Sequence, residues 1–264
     1  MKRIYNLKIN RLPESELDFL NIETRHKNMY KHNKTLNITN DRKILKTPII
    51  VDLRNKMPPV YEQENLGSCT AQALCGLIGY DDPMLIGSRL FLYYNQRKML
   101  NTVSRDSGAF LRDGVKCLTQ FGICQETMWP YIIKRFALCP PPRCYKRALL
   151  NRALQSKNIR NTLIDMKTSL ANGYPFVVGI LVYSSFESNT VATTGVVPYP
   201  DVKTERILGG HAVLCVGYDD MKQVWIMRNS WGTGWGMSGY FTLPYQYLLD
   251  SKLSSDLWTI IQMS

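Results

Sequence analysis

The chain has 264 residues, 45% of them hydrophobic and 20% charged, with 33 Lys/Arg against 21 Asp/Glu and a formal net charge of +12. That length supports one large domain or two modest lobes around an ample core. The lack of any run of about 18 apolar residues excludes a membrane-spanning helix, and no membrane partner is expected. Residues 1–47 hold 11 Lys/Arg and 5 Asp/Glu. Their cations are scattered and match no nucleic-acid module, so they read as a solvated basic extension, and nucleic acid is not an expected partner.

Within that extension, Leu17, Phe19 and Leu20 predict one short helical turn, which is too little for a core. Met1–Lys8 is basic but lacks the apolar stretch of a secretory signal. The sequons at Asn33 and Asn37 are therefore read as chance, and a reducing compartment such as the cytoplasm, or a virion, is the expected location.

From Pro48 the texture changes. Residues 49–53 read as a short strand, and Pro58-Pro59 marks a turn before Gln63. Ala71, Leu74, Cys75 and Ile78 recur at helical spacing over 69–80, and Asp81-Asp82-Pro83 stops that run. Further helices are predicted over 88–100, with the aromatics Phe91, Tyr93 and Tyr94 as core, over 110–121, and over 158–171. Strands follow at 176–182, 211–218, 224–228 and 239–243, set off by Pro, Gly and Asp. Helix before about residue 171 and strand after it argues for an α+β chain of two lobes. The boundaries are an extension at 1–47 and one catalytic unit at 48–264, mostly helical over 48–171 and mostly strand over 172–264.

Seven cysteines make an odd set. Setting Cys69 aside leaves Cys75, Cys117, Cys124, Cys139, Cys144 and Cys215, whose pairing cannot be read from spacing. Reduced thiols are expected. No metal or other cofactor is expected either, because no Cys-x2-Cys pair occurs and no His lies near the spare cysteines.

Three separated stretches carry the chemistry: Gln63-Glu64-Asn65-Leu66-Gly67-Ser68-Cys69, Gly210-His211-Ala212, and Asn229-Ser230-Trp231-Gly232-Thr233-Gly234-Trp235-Gly236. Cys69 opens a predicted helix, where unpaired N–H groups and the helix dipole favour a thiolate. Taken alone it reads equally as a small core residue. Of the three histidines, His26 and His32 fall in the extension, which leaves His211 as the base for Cys69. Asn229 offers an amide oxygen to orient the imidazole, and Trp231 can shield that bond from water. Gln63 offers a side-chain NH2 that, with the Cys69 N–H, can cradle an oxyanion.

The order Gln, Cys, His, Asn, set in Gly-Ser-Cys, Gly-His-Ala and Asn-Ser-Trp-Gly-Thr-Gly-Trp-Gly, resembles the papain-like cysteine peptidases, cathepsins included, over roughly residues 48–264. The details near Met57–Ala71 are similar to a divergent branch found in bacteria and large DNA viruses. The resemblance implies a helical left lobe, a β-barrel-like right lobe, and a peptide or protein substrate bound between them. It implies that Ser107 and Gly108 line the substrate backbone, and that Gly210, Ala212 and Trp231 border the substrate. It also implies that the bottom of the specificity pocket involves the region near Trp258 and Thr259, without singling out a residue. The chain departs from the pattern at four places. Leu66 and Asp106 stand where the family usually carries a disulfide, Thr70 replaces a Trp, and Ser107 replaces a Gly. Cys139–Cys144 is too short for the occluding loop of cathepsin B, so endopeptidase action is expected. Acyl transfer to an amine (transamidation or ligation) and a non-catalytic peptide-binding role are the rival readings. Residues 1–47 are expected to lie over the cleft in cis as a latency segment.

Overall fold

A computed structural model describes residues 4–8 and 47–264. The turn expected at 17–20, both sequons, His26, His32 and most of the extension lie outside the described residues.

The helical half contains α1 (Cys69–Asp81), α2 (Arg89–Met99) and α3 (Leu111–Gln120). In α1 every position from Cys69 to Gly79 is buried, so the helix is enclosed on all sides. Helix α2 starts at Ser88, whose hydroxyl accepts from the Phe91 N–H and satisfies one of the orphan donors of the first turn. Phe91, Tyr93 and Tyr94 are core, as expected.

Two expectations need correction. The segment 158–171 is helical only as α5 (Leu163–Ala171), with Thr162 accepting from Asp165 N as its cap. The residues just before it form a strand, β2 (Ala153–Asn158), and an additional helix, α4 (Pro142–Ala148), precedes that strand. Strand β2 escaped detection because its pairing is non-local. It lies antiparallel to β7 (Ser254–Met263), with Ser156 opposite Ile260 and Lys157 opposite Thr259; only Ala153 is buried, and register shifts at Ala153–Ser156 break the alternation at its start. Propensity cannot report a partner a hundred residues away. Helix α4 follows a run of prolines, with Pro142 inside its first turn, where the missing N–H costs nothing.

The sheet runs β2-β7-β3-β4-β5-β6, with β1 (Ile50–Asp52) added to β4. Here β3 is Phe176–Tyr183, β4 is Ile207–Asp219, β5 is Val224–Arg228 and β6 is Tyr240–Pro244. All of these pairings are antiparallel. Two short helices, α6 (Asn189–Thr194) and α7 (Tyr245–Leu249), lie among the strands.

Strand β4 is where the two lobes meet. Its even-numbered Ala212, Leu214 and Val216 belong to the core shared with α1, α2 and α3. Its odd-numbered Val213 and Cys215 belong to a second core with Phe176, Val178, Trp225 and Phe241. The alternation of a strand thus sends successive side chains into two different interiors, which explains a nearly continuous apolar run. Burying a large apolar side chain contributes about 1.5–3 kcal/mol, so each face anchors one lobe.

Candidate active site between the lobes

Cys69 is the first residue of α1 and is fully buried. Its predecessor Ser68 makes no side-chain cap. The Ser68 hydroxyl instead pairs with the Tyr131 hydroxyl at 2.6 Å and accepts from Gln72 Nε2 at 3.1 Å. The first backbone bond of the helix runs from Gln72 N to Ser68 O. The N–H groups of Cys69, Thr70 and Ala71 therefore have no acceptor within the helix. Burial pushes the Cys69 thiol up to about 11, against backbone hydrogen bonds from Ala212 and Thr70 that pull it down.

His211 lies on β4 opposite Ile180 of β3 and is fully buried. Its Nε2 is 2.9 Å from Asn229 Oδ1, and that oxygen also accepts from Ser230 N at 2.8 Å. An amide oxygen is an acceptor only, so the ring proton sits on Nε2 and Nδ1 carries the lone pair. Trp231 stacks on the imidazole at 4.9 Å and 22°. Trp235 and Phe186 continue that aromatic cluster, which holds the ring plane and keeps water off the Asn229 bond.

Gln63 is buried and held from three sides. Its N–H donates to Ser230 O at 2.9 Å, its Oε1 accepts from Ser230 Oγ at 2.6 Å, and its carbonyl accepts from Tyr131 Oη at 2.9 Å. One proton of its NH2 goes to Leu66 O at 3.1 Å. Arg228, the residue before Asn229, donates to Pro58 O and Pro59 O, each at 2.6 Å. That clamp fixes the Pro58-Pro59 turn leading to Gln63 against the strand carrying Asn229. Neither Ser230 nor Arg228 was singled out from the sequence, although Ser230 lies inside the motif that carries Asn229.

The positions without a disulfide are joined through a carboxylate. Asp106 Oδ2 accepts from Gly67 N at 2.9 Å, and its other oxygen accepts from the Tyr93 hydroxyl. Arg97, fully buried, braces the same loop by donating to Val103 O at 2.7 Å and Arg105 O at 3.3 Å. Thr70, in place of the usual Trp, donates to Gln96 Oε1 of α2 at 3.1 Å. Removing the Asp106 carboxylate leaves the Gly67 N–H without its acceptor next to the nucleophile. Asp106→Ala is expected to cost about 1–3 kcal/mol in urea unfolding and to lower kcat more than it raises KM. Asp106→Asn keeps one acceptor oxygen and should lose less on both counts.

Residues 4–8 lie across this site. The Asn6–Leu7 peptide bridges the cleft, with Leu7 N donating to Gly210 O at 3.1 Å, while Lys8 N donates to Ala109 O at 3.1 Å. Asn6 Nδ2 donates to Asp106 O at 3.0 Å. The Asn6 carbonyl rests on Gly108, whose φ is +67° and where a Cβ would fall 1.5 Å from that oxygen. Only glycine meets both demands. Tyr5 meets His211 and Trp231 edge to face, at 6.1 and 6.0 Å, and its hydroxyl donates to Glu187. Leu7 is buried beside Gly179 and the Ser255 carbonyl.

Of the residues expected at the site, Cys69, Gln63, His211, Asn229 and Trp231 are gathered where α1 meets β4. Gly108 and Gly210 touch residues 4–8, and Ala212 lends its N–H to the Cys69 sulfur. Ser107 holds Thr102 Oγ1 at 2.7 Å and braces the loop. Trp258 donates to Asp256 at 2.6 Å and Thr259 to Pro175 O at 2.7 Å. The seven cysteines are unpaired, and no group of three His, Cys, Asp or Glu able to hold a metal occurs among the described residues.

Residues 47–255 match the family model described as papain family cysteine protease. An uncharacterized peptidase C1-like protein of Acanthamoeba polyphaga mimivirus is 37% identical over 217 residues, covering 77% of this chain and 70% of that protein. A cathepsin B-like CP2 of Giardia intestinalis is 30% identical over 71% of this chain, and the match spans 64% of that protein's length. Among solved structures, xylellain, a cysteine protease from Xylella fastidiosa, superimposes with a TM-score of 0.75 at 39% identity, covering 81% of this chain and 86% of that one. The fold alone is shared with digestive procathepsin L 3 of Tenebrio molitor larval midgut, at a TM-score of 0.64 and 19% identity over 82% of this chain and 70% of that one.

Proposed function

Because the chain belongs to the papain family of cysteine proteases, we propose that it is a cysteine endopeptidase working through an acyl-enzyme on Cys69. The observation that carries this reading is the nucleophile at an uncapped helix N-terminus, served by a histidine whose tautomer Asn229 dictates. His211 Nδ1 takes the thiol proton, and the sulfur attacks the peptide carbonyl. The remaining Gln63 amide proton and the Cys69 N–H receive the oxyanion. As the tetrahedral species collapses, His211 returns the proton to the leaving amine. Water, deprotonated by the same nitrogen, then releases the acid. The carbonyls of Gly210 and Ala109, which accept from residues 7 and 8, are the backbone groups offered to a substrate. Ser107, Gly108, Ala212 and Trp231 border its path. Endopeptidase action is supported by residues 139–144, which lead into α4 and pack there against Phe91 and Cys124.

Residues 4–8 act as a cis latency segment in this reading. They use the same backbone groups, yet the Asn6 carbonyl is turned onto Gly108 and not toward Gln63, so the segment occupies the site without being cut.

The test is hydrolysis of a fluorogenic peptide amide under reducing conditions, for the full chain and for residues 48–264, with Cys69→Ala as the blank. Expected is release that the blank lacks, with a free carboxylate on the acyl product even when an amine is added. An amine adduct as the main product would instead establish acyl transfer. No turnover by either folded form would overturn the peptidase reading.

A further inference from the structure

The charge of the catalytic unit is strongly segregated. Residues 127–164 contain eight Lys/Arg (Lys134, Arg135, Arg143, Lys146, Arg147, Arg152, Lys157, Arg160) and no Asp or Glu, whereas the rest of 48–264 carries 14 Lys/Arg and 16 Asp/Glu. All eight are exposed, and among the described residues only Arg160 finds an ion pair, with Asp165 at 2.8 Å. Such uncompensated charge destabilises its own fold by mutual repulsion, so it is not a product of packing.

Five of these cations, Arg135, Arg143, Lys146, Arg147 and Arg152, gather around α4. Arg143, Lys146, Arg147 and Leu150 follow i, i+3, i+4, i+7 along α4 and the turn that continues it, and thus form one face. The opposite face buries Cys144 and Ala148 against Phe91 and Cys124, with Trp129 packed beside them. Arg135 lies over that Trp129 ring at 5.6 Å, and Lys98 of α2 reaches the Tyr145 ring at 5.8 Å. Arg152 is carried next to Leu150 because both bond to Ser264.

Long aliphatic side chains stand among the cations: Leu138, Leu149, Leu150 and Leu154 are 55%, 52%, 58% and 44% exposed. A nucleic-acid face would offer aromatic rings for stacking, but here Trp129 and Tyr145 are half-buried beneath the cations. Cations for headgroups interleaved with leucines for the acyl boundary are the two components of peripheral binding to an acidic bilayer.

The expectation of no membrane partner rests on the lack of a spanning helix alone; we propose that the surface formed by α4 and the start of β2 is a docking face for an anionic lipid membrane. No helix of the described residues can cross a bilayer, so the contact is peripheral. The face is built from residues outside the catalytic and cleft machinery. Docking therefore leaves the site free to act on substrate at the membrane.

The experiment is co-sedimentation of the full chain with vesicles of phosphatidylcholine alone and of phosphatidylcholine mixed with phosphatidylserine. Binding only to the mixed vesicles, weakened by salt, is expected. Arg143→Gln/Lys146→Gln/Arg147→Gln should weaken it by about a hundredfold, at about 1 kcal/mol per cation near the surface. Leu149→Ser/Leu150→Ser should weaken it by about tenfold or more, with the charge unchanged. Single substitutions at 143 and 147, with thermal melts, guard against loss of fold. Every variant keeps residues 1–47, so any difference reports this face alone. Equal binding to both vesicles, or unchanged binding in the triple or leucine variant, would overturn the proposal. So would tighter binding to a duplex DNA than to the mixed vesicles, which would assign the face to nucleic acid.

Discussion

Substituting Ala for Cys69 is expected to abolish peptide-amide hydrolysis, and His211→Ala to lower kcat/KM by at least about four orders of magnitude. Without sulfur there is no acyl-enzyme. Without the imidazole, the thiol stays protonated at neutral pH, because burial already raises it to about 11. The leaving amine also loses its proton donor. Asn229→Ala should lose less, about tenfold to a hundredfold, because the Trp231 stack continues to hold the ring plane after the 2.9 Å bond is gone. Combining His211→Ala with Asn229→Ala should add little, since the main action of Asn229 on turnover is through the ring. Circular dichroism melts establish that each variant folds. Cleavage by Cys69→Ala at close to the parent rate would end this mechanism.

Removing residues 1–47 should raise kcat/KM by about tenfold or more, given one buried leucine and two backbone bonds to displace. The thiol offers a second readout. In the full chain, alkylation of Cys69 should climb with pH toward about 11, since a raised pKa keeps the thiol neutral below it. In the shortened chain, water reaches the sulfur and the desolvation is relieved, so alkylation should proceed at clearly lower pH. Leu7→Asp keeps every residue of the extension but puts a charge into the pocket beside Gly179. It should therefore shift activity in the same direction as the deletion. Equal activity and equal alkylation profiles in all three folded proteins would show that residues 4–8 do not hold the enzyme back.

The four candidate site residues could be picked out because they are few and chemically distinctive. With two of three histidines in the extension, His211 followed by elimination. Helix α1 was legible from periodicity and from its Asp-Asp-Pro stop. The supports of the site were not. Asp106 reads as an ordinary loop carboxylate until the chain brings it to Gly67 and Tyr93, and Arg228 reads as a strand end until it meets the Pro58 and Pro59 carbonyls. Both depend on contacts between residues far apart in sequence, which local pattern does not encode. Strand β2 was hidden for the same reason. The extension was expected over the cleft from its position in the chain, but nothing in its composition marked Tyr5, Asn6 and Leu7 as the residues that reach it.

Strand β4 also sets the order in which the enzyme comes into being. Cys69 is made early, yet its base sits on a strand completed only at Asp219, its orienter is Asn229, and β1 must wait for residues 217–219 before it can pair. At roughly 5–20 residues per second, the nucleophile emerges from the ribosome on the order of ten to thirty seconds before its orienter. During that interval the thiol has neither a proton acceptor nor a closed lobe around it. A growing chain therefore carries no working protease. Proteolytic competence arrives only with these late long-range pairings, when residues 4–8, which lie across the cleft, have long been available to fill it.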